Sequence, residues 1–416
     1  MSSVKITPHS LSGKVVLPPS KSVAHRVLIC AALAKGKSVI RPFCTSRDIN
    51  ATANVLRAMG AQINTDENGY TVMAGTPVQG VKLNCFESGS TARFLIPVVA
   101  ALGINAQFIG EGRLPQRPFS ELCDILRANG ASVGSDQLPM DISGKFKGDT
   151  FTVPGNVSSQ YISGILLAAP LMGNDVAVNI SGKLESAAYV DMTVEVMSAF
   201  GVKVQKTDTG YFVKGGQQYV GRDIKIEADW SAAAFFMSAA AIGGEIAIDG
   251  LNFASAQGDM AALDVFAAFG AQLSTLNNTL FIRKGELRGI EVNAQQIPDM
   301  VPAIAATAAF AKGTTKITGA ARLRLKESDR IKTVCDALIA MGVEVTQTAD
   351  SIIIHGGTVK GGVIDGANDH RIVMAFAVAA AYAKGTSEIS YSSAVEKSYP
   401  EFYKDFCKIG GIIDEL

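Results

Sequence analysis

The chain has 416 residues, enough for two or three domains at about 150 residues each. Its 38 basic and 38 acidic side chains cancel, so no overall field draws nucleic acid or anionic lipid to the surface, and any anion site must be local. With 48% apolar residues, but no apolar run near the about 20 residues of a membrane span, it is expected to be soluble and to bury large cores.

The first residues, Met1-Ser2-Ser3-Val4-Lys5, lack the basic-then-apolar pattern of a signal peptide, which predicts a cytoplasmic protein. Val4-Lys5-Ile6 predicts one strand, stopped by a turn at Pro8. Pro19-Ser20-Lys21-Ser22 then opens a helix of small residues that runs on through His25 and Arg26. Comparable turns, each leading into an Ala-rich apolar helix, follow at Ser88-Gly89-Ser90, Ser158-Ser159-Gln160, Asp229-Trp230-Ser231, Pro298-Asp299-Met300 and Asn368-Asp369-His370-Arg371. Their spacing of 68 to 71 residues marks a structural repeat.

A second marker keeps the same period: helices that end in Gly and run into a strand, at Gly60, Gly130, Gly201, Gly270, Gly342 and Gly410. Glycine suits the left-handed residue just past a helix end. Alternation such as Val202-Lys203-Val204 then predicts a half-buried strand, and Asn68-Gly69 and Thr209-Gly210 predict hairpins. Each unit therefore reads strand, helix, strand, helix, hairpin, and six such units predict two domains of three.

The sixth unit breaks off after Gly410-Gly411-Ile412-Ile413, one strand short of a hairpin. The N-terminal strand is expected to complete it. Residues 1–12 and 226–416 would then form a C-terminal domain, and residues 13–225 an inserted N-terminal domain, with hinges near Ser12 and Ile224. Stretches such as Ile162 to Met172 and Ala232 to Ile242 are apolar on every face and are expected to be buried. The second helix of each unit is amphipathic and is expected to lie outside. The six cysteines form no Cys-x-x-Cys pair, which predicts neither a zinc site nor a disulfide framework.

The chemistry gathers at the starts of the apolar helices, where unpaired N–H groups and the positive dipole end favour phosphate or carboxylate. Lys21, Arg26, Arg93, His370 and Arg371 stand there, with Ser22, Ser90, Ser158, Ser159 and Gln160 as hydrogen-bonding groups. Capping explains the serines. It does not explain the cations, which oppose the dipole, so an anionic ligand is expected. The loop Gly112 to Pro118 adds Arg113 and Arg117, and Lys326 and Arg330, four apart, are read as one face of a helix beside Glu327.

These motifs resemble the EPSP synthase family of enolpyruvyl transferases along nearly the whole chain: Ser20-Lys21-Ser22 with Arg26, Arg117-Pro118, Ser158-Ser159-Gln160, Ser186 with Tyr189, Ile297-Pro298-Asp299, Lys326 to Arg330, Asn368 to Arg371, and Lys397. The resemblance implies a two-domain inverse α/β barrel of six βαβαββ repeats, three per domain, that closes over its substrates. It implies transfer of the enolpyruvyl group of phosphoenolpyruvate to the 5-hydroxyl of shikimate 3-phosphate by addition and elimination, on the route to aromatic amino acids. No metal or other cofactor is implied, and a monomer is expected.

Carried over by position, Lys21, Ser22, Arg26, Ser158, Ser159, Gln160, Ser186, Tyr189, Asp299 and Lys326 would hold shikimate 3-phosphate. Lys21, Gly89, Arg117, Gln160, Arg330, Arg371 and Lys397 would hold phosphoenolpyruvate, with Ser90, Arg322 and His370 as further contacts. Asp299 would be the base for the hydroxyl, Glu327 the acid and base at the methylene carbon, and Lys21 a third catalytic group. Glu87-Ser88-Gly89-Ser90, Phe94, Arg322 and Ala187-Ala188 depart from the usual family pattern. The retained Gly89 predicts inhibition by glyphosate. One rival resembles this family in repeat plan, a UDP-N-acetylglucosamine enolpyruvyl transferase, which usually carries a reactive Cys in the loop where Gly112 to Pro118 has none; a rival of another class is a non-enzymatic six-repeat ring enclosing DNA, which would need cations along its inner helices.

Overall fold

Residues 2–416 are described by a computed structural model. Six four-stranded sheets repeat one pairing pattern. In the second, Val81–Asn84 runs parallel to Ala106–Ile109, which pairs antiparallel with Met140–Gly144, itself antiparallel to Ala131–Val133. Helices Gly89–Leu102 and Ser120–Ala128 connect the first three strands, giving βαβαββ. The expected hairpins pair Gln62–Asp66 with Gly69–Met73 and Val204–Thr207 with Gly210–Val213.

The repeat order is broken in two places. Ser12–Val16, which precedes helix Lys21–Leu33, pairs with Glu245–Asp249, whereas Asp223–Lys225, which precedes helix Trp230–Gly243, pairs with Ser38–Arg41. Units one and four have thus exchanged their first strands. The chain accordingly divides into Pro19–Ile226 and a second unit made of the segment ending at Pro18 with Glu227–Leu416. This corrects the expected boundaries: the ladder of Ser12–Val16 keeps residues 13–18 with the C-terminal unit, and the first crossing falls after Pro18 instead of near Ser12. The second falls after Ile226. Ser3–Thr7 lies between Ser387–Ser390 and Ile412–Glu415, antiparallel to both.

Each unit has its own apolar cluster around three buried helices. They are Lys21–Leu33, Gly89–Leu102 and Ser159–Ala168 in one, and Trp230–Gly243, Val301–Ala308 and His370–Ala381 in the other. Side chains such as Leu28, Phe94 and Phe236 are wholly enclosed, each contributing about 1.5–3 kcal/mol of burial. Pro97 lies inside helix Gly89–Leu102 and has no N–H for the Arg93 carbonyl one turn back. Gly164 of helix Ser159–Ala168 fits against that carbonyl, since a Cβ there would come within 2.4 Å of the oxygen. The two helices can therefore approach closely beside Arg93. Among the described residues no helix is long and apolar enough to cross a membrane.

Candidate functional site

In Pro19–Ile226 most of the predicted residues lie in the first two turns of the buried helices, while Arg117 follows the 3-10 turn Leu114–Gln116 and Ser186 and Tyr189 stand at the start of helix Ala187–Ala199. Lys21 Nζ donates to Asp48 Oδ2 at 2.8 Å. Arg26, almost fully buried, donates to Thr193 Oγ1 at 2.7 Å, the Ser22 carbonyl at 2.6 Å and the Tyr189 carbonyl at 2.7 Å, and its guanidinium lies 4.7 Å from the Phe94 ring centre. Burial pushes its pKa down to about 10. Ser186 begins helix Ala187–Ala199 with φ at 56°, in the left-handed region that strains a non-glycine residue. Ser88 and Ser158 cap as expected, accepting from Thr91 N and Gln160 N, whereas the Ser20 side chain makes no cap bond to helix Lys21–Leu33. Ser159 is buried in the first turn of its helix.

Around Gly89 two guanidinium groups converge. A Cβ on Gly89 would lie 2.6 Å from Arg117 Nη1 and 2.8 Å from Arg93 Nη1, so only glycine leaves this approach open. Arg93 also donates to Gln160 Oε1 at 3.1 Å and to the Pro118 carbonyl at 3.2 Å, while Gln160 Nε2 donates to Ser90 Oγ at 2.8 Å. Arg93 was legible as a cation at a helix start, but its spacing alone assigned it no ligand.

In the other unit the centre is Asp299. Its Oδ1 accepts from Lys326 Nζ at 3.3 Å and Arg330 Nη1 at 2.9 Å, and its Oδ2 from Arg371 Nη2 at 3.0 Å. Burial pushes this carboxyl up, but Arg371, Lys326 and Arg330 outweigh burial and hold it well below the usual carboxylate range. Burial pushes Lys326 down to about 8 against the pull of Asp299. Arg330, 1% exposed, further donates to Glu327 Oε2 at 2.7 Å and to Asp369 Oδ2 at 2.8 Å. Burial lowers its pKa, yet Asp369, Glu327 and Asp299 outweigh that and keep it above the ordinary value.

One expectation is corrected here. Lys326 and Arg330 do not share a helical face: Ala321–Leu325 is a 3-10 turn, Lys326 is extended, and the helix Arg330–Ala340 starts only after its cap, Asp329. They meet because both reach Asp299. Lys397 is buried and donates to the Asn368 carbonyl at 2.6 Å, where Ala367 and Asn368 both have positive φ. His370 is buried at the start of its helix, and Arg322 is half-buried. Sequence reading missed Asp48 as the partner of Lys21 and Asp369 as the clamp on Arg330, because pairing across about 30 or 40 positions leaves no local pattern. It also missed Asp259, which accepts from Ser231 Oγ and whose pKa is raised to about 6, by burial first and Asp299 second.

Comparison with known proteins extends the picture over the whole chain. The profile of a family described as EPSP synthase (3-phosphoshikimate 1-carboxyvinyltransferase) matches residues 6–406. A relative named 3-phosphoshikimate 1-carboxyvinyltransferase, from Clostridium kluyveri, is 40% identical, over 100% of this chain and 99% of its own. The solved EPSP synthase from Acinetobacter baumannii superposes with a TM-score of 0.84 at 28% identity, covering 100% of both chains. The enolpyruvyl transferase NikO from Streptomyces tendae shares the fold, with a TM-score of 0.81 at 16% identity over 100% of this chain and 99% of its own.

Proposed function

The chain belongs to the EPSP synthase family, and from that premise we propose how its residues divide the work. It is an enolpyruvyl transferase with the two-domain inverse α/β barrel fold of that family. Its reaction moves the enolpyruvyl group of phosphoenolpyruvate to shikimate 3-phosphate, with release of phosphate, in the shikimate pathway. The observation that carries the assignment of roles is the convergence of Lys326, Arg330 and Arg371 on Asp299, the residues the family pattern marks.

In Pro19–Ile226, Lys21, Ser22, Arg26, Ser158, Ser159, Gln160, Ser186 and Tyr189 hold shikimate 3-phosphate; in the other unit, Asp299 and Lys326 do. Arg26 suits a phosphate because its present partners are neutral oxygens and a ring, which leave its charge for a ligand. Phosphoenolpyruvate is held by Lys21, Gly89, Arg117 and Gln160, and by Arg330, Arg371 and Lys397. Planar arginine forks match its carboxylate and phosphate. Ser90, Arg322 and His370 are further contacts.

The 5-hydroxyl attacks C2 while a proton reaches the methylene carbon. The tetrahedral adduct then loses phosphate as that proton leaves. Asp299, ionised among three cations, accepts from the hydroxyl and takes its proton as the C–O bond forms. Glu327 accepts from Arg330 Nη2, a partner that suits the carboxylate required to remove a proton in the second step. Its desolvation under bound substrate supplies the protonated form for the first. Lys21 stabilises charge that develops on the substrates. A Glu327→Gln protein with full turnover would remove Glu327 from this scheme.

The deciding experiment measures phosphate release from phosphoenolpyruvate with shikimate 3-phosphate, and separately with UDP-N-acetylglucosamine, as acceptor. Release with the former alone is expected; release with the latter alone overturns the reading. Glyphosate is expected to inhibit, and full activity at saturating glyphosate refutes that. The protein is further proposed to act in the cytoplasm as a monomer, without a cofactor.

A further inference from the structure

His25 has no part in the scheme above, yet it is the most enclosed titratable side chain near the Lys21 helix start, with 0% of its surface exposed. Its Nδ1 lies 2.7 Å from Thr52 Oγ1, Thr52 Oγ1 lies 2.7 Å from Thr91 Oγ1, and Thr91 Oγ1 donates to Ser88 Oγ at 2.7 Å. Thr52, Thr91 and Ser88 are all buried. This unbroken chain joins three helices: Lys21–Leu33 through His25, Arg47–Ala58 through Thr52, and Gly89–Leu102 through Thr91 and its cap Ser88.

The direction of the hydrogens follows from the acceptors. Thr91 Oγ1 has Ser88 Oγ at 2.7 Å and the Asp48 carbonyl at 3.5 Å, and the shorter contact is the bond. Having given its proton to Ser88, Thr91 must accept from Thr52, and Thr52 must accept from His25. Nδ1 therefore carries the hydrogen, and Nε2 is a bare lone pair. Nε2 has no hydrogen-bond partner, which an imidazolium N–H at that place could not tolerate. Burial first, then the charges of Lys21 and Arg26 on the same helix, likewise disfavour a second proton.

We propose that His25 is a positioning residue: as an Nδ1–H donor it orders the Thr52–Thr91–Ser88 chain and so fixes the start of helix Gly89–Leu102 against phosphoenolpyruvate. The chain ends on Ser88, next to Gly89, where Arg93 and Arg117 converge. It passes through Thr52, one turn beyond Asp48, the partner of Lys21. Two of the groups that hold phosphoenolpyruvate are thus set from one buried imidazole. This rests on the assignment of Gly89 and Lys21 to that substrate.

The test pairs kinetics with nitrogen NMR. His25→Leu deletes the donor and leaves Thr52 with a buried, unsatisfied oxygen, so the KM for phosphoenolpyruvate is expected to rise about tenfold, with kcat and the KM for shikimate 3-phosphate little changed. His25→Asn, whose amide nitrogen can stand where Nδ1 stood, should restore most of the loss. Thr91→Val should reproduce the defect, and adding it to His25→Leu should cost little more. In the unaltered protein, histidine nitrogen spectra should show one imidazole held as the Nδ1–H form and not titrating. An imidazolium or an Nε2–H form at His25, or a His25→Leu protein with unaltered KM, overturns the inference. If the variants do not fold, the spectrum of the unaltered protein decides alone. Absence of phosphate release by the unaltered protein would instead sink the enolpyruvyl transfer reading, and leave the spectrum to judge His25.

Discussion

Two buried arginines show how differently the two units hold charge. Arg330 is surrounded by Asp369, Glu327 and Asp299, so its burial is compensated within the fold. Arg26 is held by a hydroxyl, two carbonyls and an aromatic ring, and burial pushes its pKa down to about 10. A buried cation with only neutral partners is a standing cost, tolerable where an anionic ligand offsets it. The comparison separates structural from ligand-directed charge: Arg330 is compensated by the architecture of its own site, whereas Arg26 has the surroundings of the phosphate-binding role proposed for it.

The sharpest way to break this contrast is to remove each cation. Arg330→Met takes from buried Asp369 its arginine partner and from Asp299 one of its three cations, and should cost about 3–5 kcal/mol in urea unfolding as well as all turnover. Arg26→Gln should shift the urea midpoint little, yet raise the KM for shikimate 3-phosphate about a hundredfold, because charge-assisted bonds to phosphate are lost. Equal stability losses in the two variants would refute the distinction.

Lys326 refines it through pH. Its pKa of about 8 means that the unliganded protein loses this charge as pH rises through 8, so kcat/KM should fall there. A bound phosphate favours the charged form, so the matching fall in kcat should lie at higher pH. Lys326→Arg, charged throughout, should flatten the alkaline limb. The smallest expected effect is at Gly89: in Gly89→Ala the methyl meets the ends of Arg117 and Arg93, which can swing aside, so stability should hold while the KM for phosphoenolpyruvate rises about tenfold.

The sequence by itself determined the sixfold repeat, the buried and outer helices, and the helix starts where cations and serines gather, because each of these is written in local spacing: a 68 to 71 residue period, apolar faces and terminal glycines. Motifs quoted whole, such as Asn368 to Arg371, carried their clamp Asp369 along unrecognised. The tertiary structure decided what depends on partners far apart in the chain. It exchanged the first strands of units one and four, through ladders to Glu245–Asp249 and Ser38–Arg41 that no local pattern announces. It also broke the expected helix between Lys326 and Arg330 and brought both to Asp299. A helix or a turn is chosen by neighbours a few residues away; a buried charge is placed by whatever can satisfy it, and for Lys21, Arg26 and Arg330 that lay up to 167 residues distant.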